Sequence, residues 1–591
     1  MSISRLLSLC CLVVASTAQA QSFQLHTFER QPLTDQYYSE GANAADINGD
    51  GVMDVVYGPY WFEGPSFTTK REIYKPVPQN VNGYADNFFN WMYDFNGDGR
   101  NDVFVVGFPG TPAYVYENPG SEGFDQHWPK HQVFDWVSNE SPQLIDIVGD
   151  ELPELVCTRD GFFGFATIDP QSPFEAWKFH PISDRIAASR FGHGLGIGDI
   201  NNDGREDIIF AQGWFEQPEK DALKSLWIPH AVPLTRGYGG AEMYAYDVDG
   251  DGDNDIITSE RAHEFGLSWY EQIPGEKEPQ FKAHTIMNEH PSENKYGLVF
   301  SELHSVALVD MDGDGLKDIV TGKTYWSHHK KSPMWDAGAV VYWFKLVRGK
   351  DGVDWVPHKA DGEAGIGRQI SIVDINNDQL PDIVVGGMLG SHVLTHQVKE
   401  VSKAEYEAAQ PKVYTGPKLP SVEGAEVVRG PKAKLNGAGK AEGAIEGESF
   451  TAKPTGGSAR PQNMSGFGGD KWSGDSQLFW TGAKPGDTLS LDLPKFSGKV
   501  DIEVVLTTAG DYGVVQLSLD DQPLGPPIDL YTSDVKTTGV LTFPGITADG
   551  TEHQLHVQVL GSNPKAKKAY MFAIDFLRIK SADGSSISGA K

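Results

Sequence analysis

Carboxylate and carboxamide side chains fall at the first, third, fifth and ninth places of a short run that recurs seven times. The runs start at Asp46, Asp94, Asp146, Asp199, Asp247, Asp310 and Asp374. Oxygen donors at this spacing, with glycine usually sixth for a tight bend, suit a hard cation, and calcium is the expected occupant. The expected ligands are Asp46, Asn48, Asp50 and Asp54, then Asp94, Asn96, Asp98 and Asp102. Further on they are Asp199, Asn201, Asp203 and Asp207, and Asp247, Asp249, Asp251 and Asp255. The last two sets are Asp310, Asp312, Asp314 and Asp318, and Asp374, Asn376, Asp378 and Asp382. The run at Asp146 is imperfect, with Val148 third and Glu154 ninth, and Gln379 replaces the bend glycine of the final run.

A second constellation shares this register. Six residues before each first aspartate stand Glu40, Phe88, Glu140, His193, Ala241, His304 and Arg368, and Glu242 follows the apolar Ala241. A purely structural place in a repeat should carry similar residues throughout, whereas this one varies in kind and is rich in ionisable groups. His193, Glu242 and His304 could hold zinc or manganese with positions left open for water or substrate. The same end of the repeat gains Tyr60, Trp61, Arg261, His263, Glu264, Lys323, Tyr325, His328 and His329. His263 or Tyr325 is then the expected acid or base, and Arg261 or Lys323 the cation that neutralises an oxyanion. The competing readings are a solvated channel without a transition metal, an exposed loop at His328 and His329, and a packing role for Trp61 and Trp326.

Strands must position these groups. Apolar runs flank each acidic motif, so each motif joins two short buried strands. First aspartates lie 48, 52, 53, 48, 63 and 64 residues apart, a period suited to a four-stranded propeller blade. A second repeat, an aromatic followed three residues later by His, runs from Phe23/His26 through Trp128/His131, Trp177/His180, Trp227/His230 and Phe281/His284 to Trp355/His358. These histidines read as structural. The first copy precedes the first acidic motif and none follows the last, so residues 23–30 are expected to close the ring with the blade of Asp374. The expected fold is all-β: a seven-bladed β-propeller over residues 21–400, then a β-sandwich of jelly-roll type.

Arg5, the apolar stretch Leu6–Ala15 and Ala18-Gln19-Ala20 read as a secretory signal over residues 1–20, which predicts a secreted or periplasmic product. Cys10 and Cys11 lie inside it, leaving Cys157 without a disulfide partner. A net charge of -32 argues against nucleic acid as a partner, and no later stretch has the length and apolarity of a membrane span. Residues 401–443 read as a Lys/Ala/Gly/Pro-rich linker, 444–583 alternate strands and turns, and 584–591 form a tail.

The acidic repeats resemble those of FG-GAP/VCBS propellers. The stretches His193-Gly-Leu-Gly-Ile-Gly-Asp, Gly213-Trp-Phe-Glu-Gln-Pro, His304-Ser-Val-Ala-Leu-Val-Asp and Thr321-Gly-Lys-Thr-Tyr-Trp resemble more particularly the propeller of aldos-2-ulose dehydratases. That resemblance, over about residues 23–398, implies metal-dependent elimination of water from keto-sugars, although the cupin domains of that family have no counterpart here. The C-terminal part looks like a galactose-binding-type carbohydrate-binding module, which implies a structural calcium on Glu446, Glu448 and Asp575. The leading expectation is therefore a secreted metal-dependent lyase or dehydratase acting by β-elimination on a keto-sugar or glycoside. The alternatives are a non-catalytic, calcium-stabilised adhesion protein that binds glycan or protein, and a polysaccharide lyase.

Overall fold

The computed structural model describes residues 23–275, 279–325, 330–422, 424–520 and 522–581. The signal segment with Cys10 and Cys11, Trp326, His328, His329 and the tail lie outside them. The chain separates into two compact units, the first ending at Gly416 and the second starting at Pro417.

The first unit is a ring of seven four-stranded antiparallel blades, with the fourth and fifth joined edge to edge into one eight-stranded sheet. The innermost strands are Ala42–Ala45, Phe89–Tyr93, Gln143–Ile145, Leu195–Gly198, Glu242–Tyr246, Val306–Val309 and Ile370–Val373. Each acidic run leads from such a strand into the next, which begins at the ninth residue of the run: Asp54, Asp102, Glu154, Asp207, Asp255, Asp318 or Asp382. The N-terminal strand Phe23–Thr34 pairs antiparallel with Gly390–Val401 and supplies the outer strand of the seventh blade, so the ring closes as expected.

Seven apolar clusters, one between each pair of consecutive blades, hold the ring together. The aromatic of the outer-strand repeat belongs to them: Trp177 of blade 3 packs on Phe104 of blade 2 with ring centres 4.6 Å apart. The histidine three residues on lies flat against a third-strand aromatic, as in His230 on Trp214 (4.0 Å), His284 on Trp269 (4.3 Å) and His358 on Trp343 (4.6 Å). His131, His230 and His284 also meet Glu117, Glu216 and Glu271 at the end of the third strand. These histidines are structural. Trp61 is too, being 1 % exposed and edge-on to Phe124.

The second unit is a sandwich of two six-stranded sheets. One is centred on Phe572–Ser581 and Ser497–Thr508, the other on His553–Ser562 and Gly513–Leu519, with a single apolar core between them. The stretch expected to be a linker has local structure at both ends. Lys403–Ala409 is a helix capped by Ser402, and Gly430 N–H donates to Thr538 O (2.8 Å) while Val540 N–H donates to Pro431 O (2.8 Å). Lys and Ala suit the short helix, and small residues such as Gly430 allow the close backbone approach. Among the described residues no helix is long and apolar enough to cross a membrane.

Candidate metal centre and its surroundings

The residues six places before the acidic runs do converge. Arg368 of blade 7 reaches Glu140 of blade 3 (Nε to Oε2 3.1 Å), with the rings of Tyr84 and Phe88 each 5.8 Å from its guanidinium carbon. Tyr37 O–H donates to Glu40, whose carboxyl burial pushes up while Arg368 opposes that shift. A cation and two carboxylates from three blades thus fill the axis at this level.

Beside them lies a row of imidazoles. His193 Nε2 is 3.1 Å from His263 Nε2, and His263 Nδ1 is 3.1 Å from His304 Nε2. His304 Nδ1 in turn lies 3.3 Å from a Glu302 carboxylate oxygen, and His263 Nδ1 lies 4.0 Å from the same oxygen. His263, Glu302 and His304 each offer a donor atom within 4.8 Å of the others. Ligand atoms around a tetrahedral ion at about 2.0–2.1 Å stand roughly 3.3 Å apart, so the spacing fits zinc or a similar ion. Burial lowers the pKa of His193, which favours the neutral imidazole.

Glu302 is the residue the sequence reading missed. It is buried and adopts φ +68°, a left-handed conformation rare outside glycine. Its N–H donates to Glu264 O (2.9 Å), and its own carbonyl accepts from Thr324 N–H (3.1 Å), so neighbouring segments fix this backbone and aim the carboxylate at His304. The signal was a glutamate two residues before a histidine already singled out.

Glu242 does not join the imidazoles. Its Oε2 accepts from Val306 N–H (2.8 Å), and it lines a separate cavity with Phe89, Trp91, Leu144 and Gln369. Burial pushes its carboxyl up to about 7. The expected set of His193, Glu242 and His304 therefore gives way to His263, Glu302 and His304, with His193 adjoining. Of the expected acid, base and cation residues, Arg261 is engaged with Glu264 (2.6 Å). Tyr325 packs with Tyr37, Ala85 and Met388. Lys323 is buried, its ammonium pKa lowered by burial and partly restored by Glu302 and Asp336.

The acidic loops are built by their own carboxylates. Asp46 accepts from the N–H groups of Gly49, Asp50 and Gly51, and Asp54 accepts from Ile47 N–H (3.0 Å) and Gly64 N–H (2.8 Å). In blade 3 Glu154 takes the ninth place and accepts from Ile147 N–H (3.0 Å), the same loop-closing contact. Asp247, Asp249 and Asp251 bring donor oxygens within 4.8 Å of one another, as do Asp310, Asp312 and Asp318, which fits a hard cation. In the latter loop Lys345 also pairs with Asp312 and Asp314.

In the sandwich, Glu446, Glu448 and Asp575 each keep a buried carboxylate oxygen without a hydrogen-bond partner among the described residues. Ser473 N–H donates to Asp575 Oδ1 (2.9 Å) and Ser473 O–H to Glu446 Oε1 (3.0 Å). Burial, reinforced by the neighbouring carboxylates, pushes Asp575 up to about 8. Carboxylate oxygens left unspent in this way are the donor type that calcium takes.

An FG-GAP-like repeat model matches residues 94–157, from the second acidic run into the second strand of blade 3. No curated protein sequence matches the chain. Among solved structures, the chain is similar to an exo-β-1,3-galactanase from Phanerochaete chrysosporium at 11 % identity and TM-score 0.25, covering 94 % of this chain and 100 % of that one. It is also similar to an Agrocybe aegerita lectin described as recognising non-reducing terminal N-acetylglucosamine, at 14 % identity and TM-score 0.33 over 57 % of this chain and 86 % of that one. A carbohydrate-binding module solved with calcium and xylotriose matches at 15 % identity and TM-score 0.17, over 23 % of this chain and 98 % of the module. The chain is an all-β protein with an FG-GAP-like repeat, a propeller followed by a sandwich.

Proposed function

We propose that the propeller carries a divalent-metal centre on His263, Glu302 and His304, and that an exported protein uses it for β-elimination on a keto-sugar or glycoside. The observation that carries this reading is the convergence of those three donors, with His193 beside them, at the mouth of a ring otherwise filled by Arg368, Glu140 and Glu40. The resemblance to aldos-2-ulose dehydratases supports it. So does the chemistry of the donors: two imidazoles and one carboxylate suit zinc or manganese rather than calcium.

A bound ion of this kind would polarise the keto oxygen and so acidify the neighbouring C–H bond. The chain's own residues handle the proton and the position of the sugar. His193 has an Nδ1 with no hydrogen-bond partner among the described residues and is kept neutral by burial, so it is the proton acceptor. Tyr238, whose hydroxyl accepts from His263 N–H (3.4 Å) and whose ring lies 5.7 Å from that of His193, serves the leaving oxygen. Lys323 sets positive charge near Glu302, and the acidic loops hold the blades with calcium.

The test is elemental analysis of the purified protein together with enone formation from a keto-sugar panel, for wild type and a His263→Ala/His304→Ala double variant. Near-stoichiometric zinc or manganese, with turnover, both lost in the variant while calcium is unchanged, is the expected result. Calcium alone in both proteins would sink the reading and favour a calcium-stabilised adhesion protein.

A further inference from the structure

Two cavities flank the imidazole row. One, of about 220 Å³, is walled by Tyr84, Phe88, Phe108 and Phe191, with Glu140 and His263 as its polar groups. The other, of about 330 Å³, contains His193, Asn139, Tyr238, Ile186 and again Phe191. The larger lies at the lower end of the roughly 300–1,000 Å³ typical of small-ligand sites and the smaller just below it, so each has room for about one sugar ring.

Phe191 is the shared wall, and the fold holds it there. It adopts φ +58°, stands edge-on to Phe108 at 5.4 Å, and has the Arg190 guanidinium 4.9 Å from its ring centre. Its neighbour Gly192 is bonded into blade 3: Glu140 N–H donates to Gly192 O (2.8 Å), and Gly192 N–H donates to Ser138 O (3.3 Å). Despite this anchoring Phe191 remains 41 % exposed, as do Ile186 at 59 % and Tyr238 at 43 % around the larger cavity. Aromatic faces left in water beside polar groups suit the apolar faces of pyranose rings. Asn139 adds a donor: its Oδ1 accepts from Thr158 N–H (2.8 Å), whereas its Nδ2 finds no partner among the described residues although the residue is 3 % exposed.

We infer that the site takes two linked sugar rings, one on each side of Phe191, and that the group expelled is a second sugar rather than water. The inference rests on the elimination proposed above. In that step a proton leaves the carbon next to the ketone for His193, the freed electron pair forms a C=C bond, and the C–O bond to the second sugar breaks. The departing oxygen takes a proton, so the products are an enone sugar and a free sugar, with no net oxidation or reduction. The substrate class is a keto-glycoside of at least two residues.

Two measurements on the full mature chain separate this inference from the elimination reading. The first is binding of unoxidised cellobiose, maltose, lactose and xylobiose against methyl β-glucoside, followed by saturation-transfer NMR and calorimetry in wild type and Phe191→Ala. At least one disaccharide should bind about tenfold tighter than the methyl glycoside, and Phe191→Ala should bring that ratio close to one. Equal affinities, or a preference that survives Phe191→Ala and so belongs to the sandwich, would overturn the two-ring site. The second is turnover of a keto-disaccharide against the matching methyl keto-glycoside and 1,5-anhydrofructose, read as enone and released sugar. A kcat/KM ratio favouring the disaccharide that falls in Phe191→Ala supports the inference, whereas equal or better use of the single-ring substrates overturns it. Disaccharide binding that depends on Phe191, with no turnover of any keto-sugar, would sink the elimination reading and leave the two-ring site standing.

Discussion

His304 Nδ1 lies 3.3 Å from a carboxylate oxygen of Glu302, two residues before it in the chain. The backbone between them is bent, with His304 N–H donating to Glu302 O (3.1 Å). The left-handed turn at Glu302, φ +68°, folds the carboxylate back onto the ring. Exchange of the carboxylate for an amide at this position should remove the charged ligand while keeping its shape. Glu302→Gln removes a direct ligand and is expected to weaken transition-metal binding by more than the roughly 10- to 100-fold that changes behind a ligand cost, whereas Glu242→Gln should retain it, because Glu242 is bonded to the Val306 backbone. Elemental analysis after dialysis against graded chelator checks both.

The Arg368–Glu140 pair makes a second prediction. Both side chains are buried, and Glu40 also acts on the same guanidinium. Removing one member leaves the other charge buried without compensation, which costs roughly 3–5 kcal/mol. Arg368→Met should therefore destabilise the propeller strongly in urea denaturation, and Arg368→Met/Glu140→Gln should recover part of that loss. Additive effects in the double variant would mean the two groups do not interact in the folded state.

What was readable in the chain, and what was not, follows from how each feature is encoded. The loops and the ring closure follow local spacing, and the closing strand was visible because Phe23 and His26 repeat a pattern that has no copy after Asp374. The metal cluster depends on where side chains point after a backbone turn. Register alone placed Glu242 beside His193 and His304, because it stands one step beyond their shared position. The inner strand instead directs it to the β-ladder of blade 6. Glu302 lies outside the repeat register, in a left-handed turn that no periodicity marks, and Asn139 and Phe191 belong to connections whose paths only the closed ring defines.

Acid should weaken the propeller through one outer-strand histidine, His358. His358 lies on Trp343, and burial, helped by Lys345 and opposed by Asp312, lowers its pKa to about 4. Its unfolded value is about 6.5. The folded state thus binds this proton less readily, and the stability linked to it is present above pH 6.5 and lost as pH falls toward 4. The effect is on the order of 1–3 kcal/mol after allowance for partial exposure. His358→Gln should flatten melting temperature against pH between about 6.5 and 4, although the variant will be less stable at neutral pH for want of the ring contact. An unchanged slope would show that His358 is not the group responsible.

The sandwich should respond to calcium separately from the propeller. Asp575, Glu446 and Glu448 concentrate negative charge in a buried setting, with one unspent oxygen on each. An ion bound there stabilises only the folded state, by about 2.7 kcal/mol at a hundred times its dissociation constant. Calorimetry with added calcium should raise the transition of this unit, and Asp575→Asn should abolish that increase. A calcium response retained in Asp575→Asn would place the ion elsewhere.

One loop offers a stabilising change. The sixth place of each acidic run is left-handed, from φ +83° at Gly99 to +97° at Gly252 in the five runs with glycine there, and Gln379 is held at φ +69°. A side chain in this conformation costs roughly 1–2 kcal/mol, partly offset because glycine loses more freedom on folding. Gln379 N–H donates to Asp374 Oδ2 (2.8 Å), and glycine keeps that bond. Gln379→Gly should therefore raise stability by about 0.5–1 kcal/mol, measured by denaturation in excess calcium so that loop occupancy does not change between variants. The same substitution at Glu151, which takes φ +72° in the imperfect loop of blade 3, should act in the same direction. Destabilisation at both positions would mean that the side chains contribute more through contacts than the backbone conformation costs.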